Sequence, residues 1–298
     1  MTPSAPSLRR HNTSLGALFT VLAMLGFACM DAISKWVVAD YAIGQMMWIR
    51  YGVFCLFAWA VVRRKGILAT ARTRRPWLQA TRSLLAAVES AIFVLAFSYL
   101  PLADTHALAS TAPLIVIALG ALFLGERADT ARWLAVAAGF VGMLMIVRPG
   151  LRTLDWPVLL PLLGAGLWAV YQVLVRVCTR QDSADTTLVW SAFVAFAATT
   201  VVGPWQWQWP DALGWTLLIA MGVLNALANW AIIKALDHAE AGAVQPYAYT
   251  LLVWVTVLGA VMFGDFPDTW TILGAAVIVA SSLFAWYRDR RAASAATA

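Results

Sequence analysis

Charge is what this chain has least of. Only 12% of its 298 residues are Asp, Glu, Lys or Arg, about half the share of a soluble domain. No polar stretch is long enough to fold alone, so a separate soluble domain is not expected. With 62% hydrophobic residues and a mean hydropathy of +0.76, water cannot be the solvent of most of the surface. Cysteine and histidine are also scarce, three of each. Cys29, Cys55 and Cys178 all fall inside apolar runs, where they read as small packing residues and not as a disulfide or metal set. The sequence contains no Walker loop, no metal-ligand cluster and no nucleophile elbow. ATP-driven transport and hydrolysis therefore lack residues to perform them, no cofactor is called for, and the chain is not expected to be an enzyme.

What is there is a series of apolar runs. A helix crossing the hydrocarbon core needs roughly 20 apolar residues, because each rises about 1.5 Å through about 30 Å of lipid. Ten runs qualify: Ser14 to Val38, Ile43 to Val62, Trp77 to Leu100, Ala103 to Leu124, Thr130 to Val147, Pro157 to Val177, Thr187 to Val202, Asp211 to Leu236, Ala239 to Phe263 and Thr269 to Tyr287. The divisions between the third and fourth and between the eighth and ninth rest on little more than Leu100-Pro101-Leu102 and Asp237-His238. The polar start, Met1 to Thr13, reads as a retained tail, since the following run is too long for a signal-peptide core.

The net charge of +6 would suit nucleic acid only if the basic residues shared a solvated face. They sit at the ends of the runs instead, so nucleic acid is not an expected partner and membrane lipid is. Lys and Arg in short loops favour the cytoplasmic side. The loop Arg63 to Arg75 carries six basic and no acidic residues, and with Arg9, Arg10, Arg288, Arg290 and Arg291 it places both termini in the cytoplasm. Lys35, Arg148 and Arg152 fall on the opposite side.

The chain also repeats itself. Leu124-Gly125-Glu126 followed by Asp129-Thr130 matches Phe263-Gly264-Asp265 followed by Asp268-Thr269, an offset of 139 residues. Phe27-Ala28 with Lys35 matches Trp168-Ala169 with Arg176 at 141, and Tyr99-Leu100 with Ala103 matches Ala235-Leu236 with Ala239 at 136. The expected fold is therefore an all-α integral membrane protein whose ten transmembrane helices form two five-helix repeats, residues 14–150 and 151–287, between cytoplasmic tails 1–13 and 288–298. An odd number of spans per repeat makes the second enter the membrane from the opposite side. Inverted halves suit alternating access around a shared central site.

These features resemble the drug/metabolite transporter superfamily, specifically its ten-span EamA branch, over about Ser14 to Tyr287. The resemblance is carried by the twin helix ends Leu124-Gly125-Glu126 and Phe263-Gly264-Asp265, by Arg50 in the second span, by Ala112-Pro113-Leu114 in the fourth, and by the Gly139 and Gly142 face. Within the branch the chain looks most like exporters of aromatic amino acids. Two departures are Asp265 where the family usually has Glu, and Leu252-Val253 where Pro-Val is common. The resemblance implies export of amino acids or related metabolites across the inner membrane, with spans one, three, four, six, eight and nine around the cavity.

Polar groups in hydrocarbon are costly and face the bundle interior, so they nominate the pathway. Asp31 shares a helical face with Phe27 and Lys35; it either pairs with Lys35 four residues on or binds substrate or a proton. Its repeat mate, Gln172, lies with Trp168 and Tyr171 in the sixth span. Glu89, on one face with Phe93, is paired with Arg50 or Arg82 or else serves transport, and it is mirrored by Asn225, with Asn229 and Trp230 following. His106 and Ser110 in the fourth span, and Gln245 and Tyr249 in the ninth, stand at helix starts, whose free N–H groups suit a carboxylate. The bland alternatives are a turn-capping His106 and a Ser110 bonded to its own helix. Pro113 and Pro246 can kink those spans as hinges. Trp168, Tyr171, Trp230, Tyr99 and Trp254 are expected to line an aromatic cavity, and Gly139, Gly142, Gly164 and Gly166 to be close helix contacts. Such a lining fits a large amphipathic zwitterion better than a sugar phosphate. The expected partner is thus a small-molecule substrate, an amino acid or metabolite, and a monomer suffices. A multidrug or nucleotide-sugar exchanger and an integral membrane enzyme or lipid-handling protein are the alternatives.

Overall fold

The computed structural model describes residues 13–123, 130–148, 156–178, 182–239 and 241–297. The fold is all-α: ten spans arranged as two inverted repeats of five. Nine helices among the described residues are long and apolar enough to cross a membrane, and a shorter one, Trp133–Val147, supplies the fifth span. The first three spans are Thr13–Val37, Ile43–Val62 and Pro76–Phe97. The fourth is broken into Leu102–Ala109 and Ala112–Phe123, and the fifth is Thr130–Val147. The sixth to eighth are Leu159–Cys178, Ala184–Val202 and Ala212–His238. The ninth is assembled from Ala241–Val244, a 3-10 turn Gln245–Tyr249, Thr250–Leu258 and a π-helical turn Gly259–Phe263, and the tenth is Thr269–Thr297.

Local chemistry sets the ends. Ser183 caps the seventh span by accepting from the Thr186 N–H at 3.1 Å, Asp211 caps the eighth from Gly214 at 2.7 Å, and Asp268 caps the tenth from Thr271 at 2.8 Å. The ninth ends at Gly264, whose φ of +68° suits a residue without Cβ. Pro76 opens the third span at a position where a missing N–H costs nothing. The tenth helix runs past the expected end at Tyr287, because the Ala- and Arg-rich tail propagates it.

The packing obeys the repeat. The first span lies against the eighth and the sixth against the third, a pair of contacts that exchange when every span is replaced by its mate five places away. The second lies against the eighth and the seventh against the third in the same relation, as do first with ninth and sixth with fourth. Second with seventh, and fifth with tenth, map onto themselves. This is the contact pattern of a pseudo-two-fold axis. At the fifth–tenth crossing Gly142 and Gly274 face one another so closely that a Cβ on either would come within 2.7 Å or 2.5 Å of the other's carbonyl oxygen. Gly139 and Gly164 are likewise close contacts, against Leu114 and Phe93. Gly166 is not: nothing lies within 4 Å of where its Cβ would be. Exposed Leu18, Leu22, Leu56, Leu84, Phe140 and Val201 belong to the surface that faces lipid.

Candidate functional site

One end of the bundle is held by charge. Lys35, in the last turn of the first span, pairs with Asp265 beyond the ninth at 3.1 Å, donates to the Leu100 carbonyl at 2.8 Å, and lies 5.3 Å from the Phe263 ring centroid. One turn deeper, Asp31 Oδ2 is 3.1 Å from His106 Nε2 at the start of the fourth span. The imidazole packs against the rings of Phe93 at 5.9 Å and Phe97 at 5.8 Å, which are themselves 6.3 Å apart. Around these pairs Ala28, Ala32, Phe97, Leu102 and Val255 form an apolar cluster from spans one, three, four and nine. Asp31 and Lys35 therefore do not pair with each other as an i, i+4 couple. Each reaches a partner on another element, which joins helices that the local pair would have left separate.

The middle of the bundle is aromatic and polar without many charges. Trp168 stacks on Tyr171 with centroids 4.9 Å apart. Gly164, one turn before Trp168, touches Phe93 of the third span, and Tyr171 touches Arg82 of the same span. Trp168 thus lies on the face turned toward the third span, and it is 39% exposed. Glu89 is partly buried and close enough to Arg50 and Asp31 to feel both charges, so its cationic neighbour is Arg50 and not Arg82. Arg50 is buried, packs 5.3 Å from the Tyr51 ring, and keeps an Nε donor without a partner. The Trp254 indole N–H is a second buried donor left unpaired.

The other end is held around Arg82, which is fully buried. Its guanidinium donates to Gln79 Oε1 at 3.0 and 3.2 Å, to Ser191 Oγ at 2.9 Å, to the Thr187 carbonyl at 3.2 Å and to the Tyr171 hydroxyl at 3.3 Å. These acceptors come from spans three, six and seven, and none is ionised. Around it Gln79 and Thr73 donate to Asp182, each at 2.8 Å, and Lys65 pairs with Asp185.

The nominated residues divide into those brought together and those not. Asp31, Glu89, Phe93, His106, Trp168 and Tyr171 border one region, with Gln172 partly buried beside Tyr171 and Phe27 packed between the first span's two apolar clusters. Asn229 donates to the Asn225 carbonyl at 2.8 Å within its own helix, as Ser110 does to His106 at 2.8 Å. Trp230 stacks edge-on with Phe19. Tyr249 faces Ser282 of the tenth span. Tyr99 is not deep: it is 54% exposed in the turn after the third span, edge-on against Trp156. Its position in the Leu100-Pro101 turn, outside the helix, explains this. The side chains of Gln245 and Arg176, and the whole of Leu124-Gly125-Glu126, lie outside the described residues. Lys35, Asp265, Phe97, Gln79 and Arg82 were not nominated, although Lys35 and Asp265 had marked the repeat.

Comparison with known proteins agrees with this architecture. The EamA-like transporter family matches twice, over residues 14–148 and 155–287. A riboflavin transporter of Rhizobium johnstonii is 32% identical, covering 98% of this chain and 97% of that protein. One of Vibrio cholerae is 30% identical over 92% of this chain and 94% of its own. Other relatives are named as S-adenosylmethionine uptake transporters of Rickettsia and a pseudopaline exporter of Pseudomonas aeruginosa. None of these is named for aromatic amino acids. A crystal structure sharing 18% identity superposes with a TM-score of 0.65 over 93% of this chain and 98% of that one, a likeness of fold.

Proposed function

The chain belongs to the EamA-like transporter family, and from that premise we propose that it carries a neutral, planar heteroaromatic metabolite of the riboflavin kind across a bacterial inner membrane. The observation that carries this reading is the stacked Trp168–Tyr171 pair, turned toward the third span and flanked by Phe93. A flat ring system inserts against such a pair, where each aromatic contact contributes about 1 kcal/mol beyond its burial. Hydroxyl and imide groups on the solute match the partly buried Gln172 and the unpaired donors of Trp254 and Arg50. The similarity to riboflavin transporters over nearly the whole chain supports the same solute class. Gradients must supply the energy, and the inverted halves supply two exchangeable arrangements around one cleft. We place both termini and the basic loop Arg63–Arg75 in the cytoplasm and the Lys35 end outside.

A second reading, export of aromatic or other hydrophobic amino acids, draws on Arg50, whose free Nε can receive a carboxylate. Counterflow separates the two. Purified protein in liposomes preloaded with riboflavin is expected to take up labelled riboflavin saturably, and phenylalanine or tryptophan preloaded in its place is expected to drive none. Exchange of the amino acids with no exchange of riboflavin would establish the second reading.

A further inference from the structure

We infer that Asp31 and His106 form a binding site for one proton that couples transport to a proton gradient. The inference assumes a carrier and not any particular solute. The pair joins the first span to the fourth, its side chains are only 13% and 10% accessible, and the imidazole packs against two phenylalanine rings. His106 Nε2 makes no well-directed hydrogen bond, so a proton there finds Asp31 at 3.1 Å as its counter-charge.

The surrounding charges decide its protonation. Three carboxyls gather here: Asp31 on the first span, Glu89 on the third and Asp265 beyond the ninth. Two permanent cations face them, Lys35 on the first span and Arg50 on the second. Thr250–Leu258 of the ninth span carries no ionisable side chain. On the sixth, Tyr171 is engaged by Arg82, and Arg148 after the fifth is engaged by Asp268. Asp104 precedes His106 by two residues, which puts it about 200° around the same helix and away from the pair. With all three carboxyls ionised and the imidazole neutral, the cluster holds one uncompensated negative charge in a poorly solvated place. One proton, on Glu89 or on His106, balances it.

Of these two sites only His106 has a carboxylate at 3.1 Å to hold the added charge, so the proton is assigned to the imidazole nitrogen lone pair while Asp31 remains ionised. Both partners sit one turn beneath the Lys35–Asp265 pair. Separating the first span from the fourth and ninth hydrates the cluster and lets the proton go, so loading and release follow the same movement that opens this end.

Two measurements test this. The chain has three histidines, so nitrogen-15 histidine spectra can be assigned with His106→Gln; His106 is expected to show the imidazolium signature, and to lose it in Asp31→Asn. In liposomes, an inward proton gradient is expected to concentrate riboflavin by up to about tenfold per pH unit, since each unit is a decade of proton activity. His106→Gln and Asp31→Asn are expected to exchange solute at a pH-independent rate, whatever its level, and to accumulate none against a gradient. Lys65→Ala, at the other end, keeps the gradient response. Intact riboflavin counterflow with no gradient-driven accumulation overturns the coupling and leaves the riboflavin reading standing. Absent riboflavin counterflow overturns that reading instead, and the gradient arm is then run with whichever solute exchanges. A His106 that shows no imidazolium signature in the parent protein overturns the proposal.

Discussion

The two ends of the bundle are closed by different chemistry. At the Lys35 end, the Lys35–Asp265 ion pair ties the first span to the turn after the ninth and the Asp31–His106 contact ties it to the fourth, all four side chains being partly accessible. At the Arg82 end, one guanidinium with no accessible surface gathers neutral acceptors from three spans. Along the third span the two lie fifteen residues apart, from Arg82 to Phe97, or roughly 22 Å. The Lys35–Asp265 pair, at the end of the bundle, loses little when it separates, because each member is rehydrated. A fully buried guanidinium cannot leave its acceptors without stranding them. The comparison assigns the Lys35 end to the part that opens readily and the Arg82 end to the part that holds the fold.

The largest effect is expected from Arg82→Ala. Truncation strands Gln79 Oε1, removes one of the hydrogen bonds of Ser191 and of the Thr187 carbonyl, which keep their bond to each other, and leaves a void, a loss of about 3 kcal/mol. Thermal unfolding in detergent measures it, and Arg82→Lys is expected to recover little because one ammonium cannot reach acceptors on three helices. Parental stability in Arg82→Ala would erase the contrast between the ends.

Between the ends, Trp168→Ala is expected to lower transport about tenfold, the equivalent of roughly 1.4 kcal/mol of lost stacking, while leaving thermal stability near the parent. Gln172→Ala is expected to act in the same direction more weakly. A matching fall in stability would make Trp168 a packing residue and remove the sixth span from the pathway.

Lys35→Ala is expected to be mild in stability, about 1 kcal/mol or less, and visible in conformation. Labelling of a cysteine placed at Phe263 should speed up several-fold, since the first span is no longer tied to the ninth. Asp265→Asn is expected to give the same increase, and the double variant no more than either single, because both remove one contact. Additive effects would mean that the two residues act apart.

Much of the frame was legible because it rests on one-dimensional signals. Run lengths gave ten spans, the offsets near 140 residues gave the inverted repeat, and Asp268-Thr269 and Gly264 marked a helix start and a helix end by cap chemistry. Pro113 and Pro246 pointed to the two spans that are broken, the fourth and the ninth, which are repeat mates. The partners of charges were less legible. Nothing in the spacing tells Asp31 to prefer His106, 75 residues away, over Lys35 on its own helix; the choice depends on how spans one, four and nine cross. Arg82 stayed obscure for the same reason, since Thr187 and Ser191 are unremarkable in the seventh span until that span is laid against the third. Tyr99 was misplaced because its neighbourhood in sequence is apolar, while the turn it occupies is not deep.

The smallest effect sharpens the comparison at the charged end. Asp268 caps the tenth span and pairs with Arg148 at the end of the fifth. The Arg148 hydrogen bond first, and the Thr271 N–H after it, hold its carboxyl at about 2, below the ordinary 3.8. A lowered folded value means that the unfolded chain takes up the proton first. The contribution to stability is therefore complete above about pH 4 and is lost as pH falls from there toward 2. Because the side chain is 37% exposed, the gain is screened and small. Asp268→Asn is expected to flatten the acid limb of the unfolding midpoint over that window and to leave the midpoint at neutral pH slightly lower. If the acid limb keeps its slope in Asp268→Asn, the Arg148–Asp268 pair does not carry it, and the cap and ion pair at the start of the tenth span add nothing to the closure of this end.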